Sequence, residues 1–235
     1  VSFLKPCILK YIRLFTTENI LPQQLYIHRE ELYGRPEVLN HVSMLKERNP
    51  NFTLIDIGAS HNPFNPSLLT HTFDLRPNNL ENKHSFLGDM NSYEDWVQIF
   101  EYVEQHGKFD FCNCTHTLED IAYPMAALKY MPRIAKEGFI AVPSKYYELQ
   151  YRDQYRGGIH HRWIFDNKQG KLVGYPKINL IETLTWYPHG TTIEENATTE
   201  LRLFWKDSID FEIINNDYLG PTAEAVVEMY QNLLP

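Results

Sequence analysis

The stretch Thr53-Leu54-Ile55-Asp56-Ile57-Gly58-Ala59-Ser60 constrains the fold more than any other part of the chain. A short apolar run carrying a single acid ends in glycine and small residues. Such a run reads as a strand buried on both faces of a parallel sheet. Gly58 lets the backbone turn sharply and lets a ligand come close. If this strand is central, its carboxyl end is where an open α/β sheet holds a cofactor.

The flanking sequence repeats the theme. His71-Thr72-Phe73-Asp74 and Ser85-Phe86-Leu87-Gly88-Asp89 read as a second and a third strand, each closing on an acid. Phe109 to Cys114 reads as a fourth and Gly138 to Val142 as a fifth. Helical patterns separate them. One starts at Arg35-Pro36-Glu37, with Pro at the first turn, and carries Val38, Val42 and Leu45 up to Asn49-Pro50. Another has Ser92 as N-cap with Asp95 as its capping-box partner, the stripe Trp96, Ile99, Phe100 and Val103, and Gly107 as its end. A third opens at Pro124, carries Met125, Leu128 and Met131, and should kink at Pro132. Strands alternating with helices predict a mostly parallel sheet covered on both faces. Residues 1–50 read as a helical lead-in to a single α/β domain over 51–235. Within the lead-in, Tyr26, His28, Arg29 and Tyr33 read as a surface loop, with a lid as the alternative.

After Pro143 the pattern changes. Tyr146, Tyr147, Tyr151, Arg152, Tyr155 and Arg156 are followed closely by His160, His161, Arg162 and Trp163. Asp166 to Gly170 then reads as a hairpin turn. The segment 143–176 is therefore expected as an insertion. Its aromatics either pack the hairpin on the sheet or line a polar pocket, and one ring can do both. Segments around Leu201–Trp205 and Phe211–Ile214 read as closing strands, and Ala223–Leu234 as a last helix.

Charge and cysteine content narrow the classes. The formal charge of -8 speaks weakly against a DNA- or RNA-binding surface, though it leaves room for a local basic patch. Three cysteines, two of them as Cys112-x-Cys114 on a predicted strand, do not read as a disulfide framework. They fit a reducing, cytoplasmic setting, with Cys112 and Cys114 on one face of the strand. The glycosylation sequons at Asn51, Asn113 and Asn196 read as chance matches. No apolar run is long enough to span a membrane. The start at Val1 fits a processed product or a piece of a larger multidomain chain.

Asp74 falls about 18 positions after Asp56, the distance at which a strand–helix–strand unit brings a carboxylate to a ribose diol. The ordered set of motifs resembles the class I S-adenosylmethionine-dependent methyltransferases over residues 37 to 145. Leu54-Ile55-Asp56-Ile57-Gly58 is similar to their first motif, Asp74 to their ribose-binding acid, and Gly88-Asp89-Met90 to the motif whose acid meets the adenine amino group. Phe109-Asp110-Phe111 with Cys114-Thr115-His116-Thr117-Leu118-Glu119-Asp120 resembles their fourth motif. The resemblance implies a Rossmann-like fold with a mostly parallel seven-stranded sheet and S-adenosyl-L-methionine as cofactor. It implies cofactor contacts at Asp56, Gly58, Ala59, Ser60, Asp74, Leu75, Asp89, Met90, Cys114 and Thr115. A departure lies just after Gly58, where Ala59-Ser60-His61-Asn62 lacks the family's second glycine. The same loop lacks the Gly-x-Gly-x-x-Gly turn of a dinucleotide site.

Such enzymes place acceptor-binding elements after the fifth strand. This implies Tyr146, Tyr147, Arg152, Tyr155, Arg162 and Trp163 as contacts to a small-molecule or glycan acceptor. There is also a faint similarity to methyltransferase domains associated with viral or bacterial glycosyltransferases. O-methylation of a hydroxyl needs a base, and His116, His160 and His161 are the candidates. His116 also reads as a structural or cofactor-pocket histidine. On a strand His160 and His161 would face opposite sides and could not share a metal. Glu119 and Asp120, with His116, are candidate metal ligands, but acids near a helix start need no metal. The competing readings are an NAD(P)-dependent Rossmann oxidoreductase, a non-catalytic methyltransferase-like binding domain, and a nucleic-acid methyltransferase. The Gly58 loop, the joint presence of Asp56, Asp74 and Asp89, and the acidic balance speak against these in turn.

Overall fold

The computed structural model describes residues 23–28, 35–59, 63–77, 80–152, 155–183, 200–214 and 223–233; the side chains of 27, 28, 152 and 223–225 are not among the described ones. Seven strands form the main sheet: β1 (Gln23–His28), β2 (Leu54–Ile57), β3 (His71–Asp74), β4 (His84–Leu87), β5 (Phe109–Thr115), β6 (Ala135–Pro143) and β11 (Glu200–Lys206). Their order is β1-β11-β6-β5-β2-β3-β4. The five strands from β4 to β6 are parallel, whereas β11 is antiparallel to both β6 and β1. The strand order reverses at β2, which lies between β3 and β5. This is the Rossmann-like α/β class that the resemblance implies.

The helices cover both faces as the periodicity predicts. α1 (Pro36–Arg48) buries Val38 and Val42 on one face, against Leu54, Phe111, Phe139 and Phe204. α2 (Tyr93–His106) and α3 (Pro124–Ile134) cover the other, where Ile55, Ile57, Cys112, Cys114 and Val142 meet Trp96, Leu128 and Met131. Neighbouring residues such as Leu54 and Ile55 go to opposite cores, as the two-residue period of a strand requires. Cys112 and Cys114 share one face, as expected. Ser92 caps α2, its hydroxyl accepting from the Asp95 amide, but the Asp95 carboxylate accepts from the Asp89 amide instead of closing a capping box on Ser92. α3 runs two residues beyond Pro132.

After β6 come the short helix α4 (Lys145–Leu149), the two-residue ladder of β7 (Tyr151–Arg152) and β8 (Tyr155–Arg156), and the hairpin of β9 (Trp163–Lys168) and β10 (Lys171–Pro176). β12 (Phe211–Ile213) joins β10 in parallel. α5 (Ala223–Gln231) packs Val226 and Tyr230 on Leu149, Ile164 and Tyr175, a third core belonging to this outer layer.

The reading of the N-terminal segment is corrected. Residues 23–28, read as part of a helical lead-in with Tyr26 and His28 in a surface loop, form β1, an edge strand of the sheet. Tyr26 packs on the core under α1. A division at residue 50 therefore cuts through one sheet. Arg29 and Tyr33 lie outside the described residues. The sequon at Asn113 is fully buried in β5, where no glycan can sit. No described helix is long and apolar enough to cross a membrane.

Candidate functional site

The carboxyl edge of the parallel strands collects most of the residues singled out in the sequence. Asp56 is among them but does not present a free carboxylate. It is buried inside β2; Asn113 donates to one of its oxygens at 2.6 Å and the Phe64 amide to the other at 2.7 Å. Burial outweighs these bonds and pushes its pKa up to about 6. Asp56 thus ties Phe64, after β2, to Asn113 on β5.

Gly58 has φ +75°, a left-handed conformation. A Cβ built there would stand 2.2 Å from Thr117 Oγ1 and 2.5 Å from its Cγ2. The close approach that demands glycine is therefore made by Thr117, from the loop after β5. Ala59 is buried beside it, and Ser60 lies outside the described residues. Asp74 ends β3, 8% exposed, and accepts from the Arg76 amide at 3.0 Å. Leu75 next to it is 68% exposed, an apolar surface on the same edge. Asp89 is half-buried after β4 and accepts from the backbone and side chain of Asn91. Gly88 is needed there because a Cβ would come within 2.5 Å of Asp95. The side chains of Met90 and Cys114 belong to the core under α2 and α3. Thr115 is half-buried as the last residue of β5.

His116 follows in a left-handed conformation, φ 50°. Its ring reaches over the end of β6 to β11. Nε2 donates to Glu200 Oε1 at 2.7 Å, and Nδ1 stands 3.3 Å from Glu119 Oε1. Burial disfavours the charged ring, but these two carboxylates prevail and raise its pKa to about 9. Near neutral pH the two carboxylates favour the imidazolium form of His116. Glu200 also meets Arg35 Nη2 at 2.6 Å and Arg202, and Arg202 reaches Glu37. Three acids and three cations form this chain, and burial of the Glu200 carboxylate is outweighed by His116 and the arginines, which hold its pKa far below the usual range. Arg202, buried in a strand, was the sequence signal for this network, but its partners lie too far along the chain to be inferred.

His160 and His161 are not on a strand. They sit in a turn after Gly157-Gly158, where their rings meet edge-on with centroids 4.5 Å apart. Asp120 faces both from the loop after β5. His161 Nδ1 donates to Glu148, which is fully buried and paired with Lys177 Nζ at 2.6 Å. Burial opposes a charge on His161, but Glu148 raises its pKa. Glu119, the other acid weighed as a metal ligand, is buried and turned toward His116. Glu148 and Lys177 were not singled out in the sequence.

The aromatic segment is divided. Tyr146 and Tyr147 are half-buried on α4, and Tyr155 and Arg162 are exposed. Trp163 donates to the Ile121 carbonyl at 2.9 Å and the Arg162 amide to the Glu119 carbonyl at 2.6 Å, which docks the insertion on the loop after β5. The side chain of Arg152 is outside the described ones.

No protein-family model matches the chain, and no curated protein matches it. Solved structures similar to it include the N-terminal domain of EvdMO1 in the presence of SAH and D-fucose (12% identity, TM-score 0.35, 87% of this chain and 74% of that one). Another is CalS10 from Micromonospora echinaspora with bound SAM, an amino pentose methyltransferase (17%, 0.36, 62% and 69%). A third is a ribosomal RNA methyltransferase from Plasmodium falciparum (10%, 0.38, 78% and 100%). With TM-scores of 0.35 to 0.38, these likenesses carry no argument about function.

Proposed function

We propose that the chain is an S-adenosylmethionine-dependent methyltransferase acting on a hydroxyl of a sugar or other small acceptor. The observation that carries this reading is Asp74, a nearly buried carboxylate at the end of β3, beside the point where the strand order reverses. A carboxylate there suits the two hydroxyls of a ribose. Leu75 beside it offers a surface to an adenine ring, and Asp89 on the next strand offers an acceptor for its amino group. The turn at Gly58, with Thr117 packed against it, is the place for the methionine end.

In the reaction the acceptor oxygen attacks the sulfonium methyl carbon. The carbon–sulfur bond breaks with its electron pair going to sulfur, and the hydroxyl proton goes to a base. In-line placement supplies much of the rate. His116, as an imidazolium held by Glu119 and Glu200, positions groups and carries positive charge; it does not take the proton near neutral pH. The proton acceptor falls instead to the corner of Asp120, His160 and His161, as one of these side chains or as a hydroxide that they hold. The half-buried Tyr146 and Tyr147, with Arg162 and Trp163, support an acceptor site on the docked insertion.

The test is thermal unfolding with and without the methyl donor. At a hundredfold excess over Kd the stabilisation is about 2.7 kcal/mol, which for a domain of this size raises Tm by about 5–10 °C. Asp74→Asn keeps the unliganded Tm within a few degrees and loses the shift. A shift with NAD and none with the methyl donor overturns the reading. Methyl transfer to a panel of sugars and small phenols then identifies the acceptor.

A further inference from the structure

Asp120, His160 and His161 come from two segments that the docked insertion brings together. One donor atom from each lies within 4.8 Å of the other two. Asp120 Oδ1 is 3.7 Å from His160 Nε2 and 3.9 Å from His161 Nε2. These separations are too long for hydrogen bonds. They are close to what a shared ion requires, since two donors each about 2.1 Å from a tetrahedral metal stand about 3.4 Å apart. The two Asp120 separations would each need to contract by only about 0.3–0.5 Å to reach that spacing.

Two further observations point the same way. Asp120 Oδ1 is shielded from solvent and accepts no hydrogen bond. His161 is held as a ligating histidine should be: Nδ1 donates to the buried Glu148, leaving Nε2 turned to Asp120. Glu148 is itself fixed by Lys177, whose ammonium also donates to the carbonyls of Arg156 and Gly158 at 2.8 Å. A carboxylate behind a histidine sets its tautomer and strengthens it as a ligand. Gly158 makes room for the ring, because a Cβ there would stand 2.4 Å from it.

We propose that Asp120, His160 and His161 form a binding site for a divalent transition-metal ion of the zinc class. Two imidazoles and one carboxylate suit such an ion, whereas magnesium and calcium ask for oxygen donors. The His160 side chain is 69% exposed, so water can reach the site from its side. There the ion would bind a water or a hydroxyl and lower its pKa. Metal binding as such does not depend on the methyl-donor reading.

The test is titration of the full chain, first dialysed against a chelator, with cobalt(II) read by its visible ligand-field absorption. One equivalent of cobalt is expected to bind, to be displaced by one equivalent of zinc, and to survive a large excess of magnesium. His160→Ala and Asp120→Asn alter solvent-accessible side chains, so they keep the unliganded Tm and lose at least about 10-fold in affinity. Glu148→Gln, which spares the ligands, lowers affinity by about 10–100-fold. No stoichiometric band, equal binding by the Asp120 and His160 variants, or displacement by magnesium overturns the proposal. None of these readouts involves the methyl donor, so failure here and failure of the methyltransferase reading are distinguished.

Discussion

Replacing Gly58 with alanine should damage the fold before it damages any ligand site. The backbone there is left-handed, which costs an alanine about 1–2 kcal/mol. The new methyl would also press on Thr117, with Oγ1 at 2.2 Å and Cγ2 at 2.5 Å, and overpacking of this kind costs about 1–3 kcal/mol. The sum is about 2–5 kcal/mol. With a urea m-value near 3 kcal/mol/M, the midpoint falls by about 1 M or more. The two contributions can be separated with Thr117→Ala, which removes both nearest atoms and leaves only Cβ at 2.9 Å. In the double variant the steric part should be relieved and the backbone part retained. A coupling of about 1–3 kcal/mol is expected in the mutant cycle. A Gly58→Ala midpoint within about 0.2 M of wild type, or strictly additive variants, would refute the assignment of Thr117 as the wall.

Other predictions concern charge. Burial, with His84 and His106 nearby, lowers the pKa of His71 from 6.5 to about 4. The unfolded chain therefore takes up a proton that the folded one resists; this stabilisation is complete above pH 6.5 and lost as pH falls through about 4. Urea midpoints measured between those values should decline, and His71→Gln should flatten the decline; an unchanged slope would discard the role of His71. Arg202→Met takes the cation from Glu37 in a largely buried setting, while Glu200 keeps Arg35 and His116; the loss is about 3–5 kcal/mol. A loss below about 1 kcal/mol by urea unfolding would mean that solvent screens the network.

The strands β2 to β6 were legible because each is a short apolar run whose burial on both faces erases alternation, and because acids and glycines mark their ends. Ser92 and Pro124 marked helix starts for local reasons, a side-chain cap and a fixed φ. What stayed hidden depends on partners far along the chain. Gln23 to His28 looks unremarkable alone and becomes a strand only against β11. His116 has the sequence context of a base, yet its charge is set by Glu119 nearby together with Glu200, which arrives from β11. Asp56 has the place of a ligand-binding acid, but Asn113 and the Phe64 amide occupy both its oxygens. The His160-His161 pair was read by strand alternation, whereas Gly157, at φ 55°, turns the chain and lets both rings meet Asp120. The twin glycines just before the pair were the local sign of that turn.

The seating of β1 has a consequence for synthesis. Among the described residues its neighbour in the sheet is β11, with Gln23 opposite Trp205 and Ile27 opposite Leu201. A chain emerging from the ribosome therefore exposes β1 long before β11 exists, an interval on the order of ten seconds or more at ordinary elongation rates. During that interval its amide and carbonyl edge can pair with other chains. β2 to β6 can assemble without it, so the nascent protein passes through a stage in which the central sheet is formed and its last two strands are pending. A stalled chain ending before Glu200 should be more prone to self-association than the full one, and deleting residues 23–28 from that stalled chain should reduce the effect.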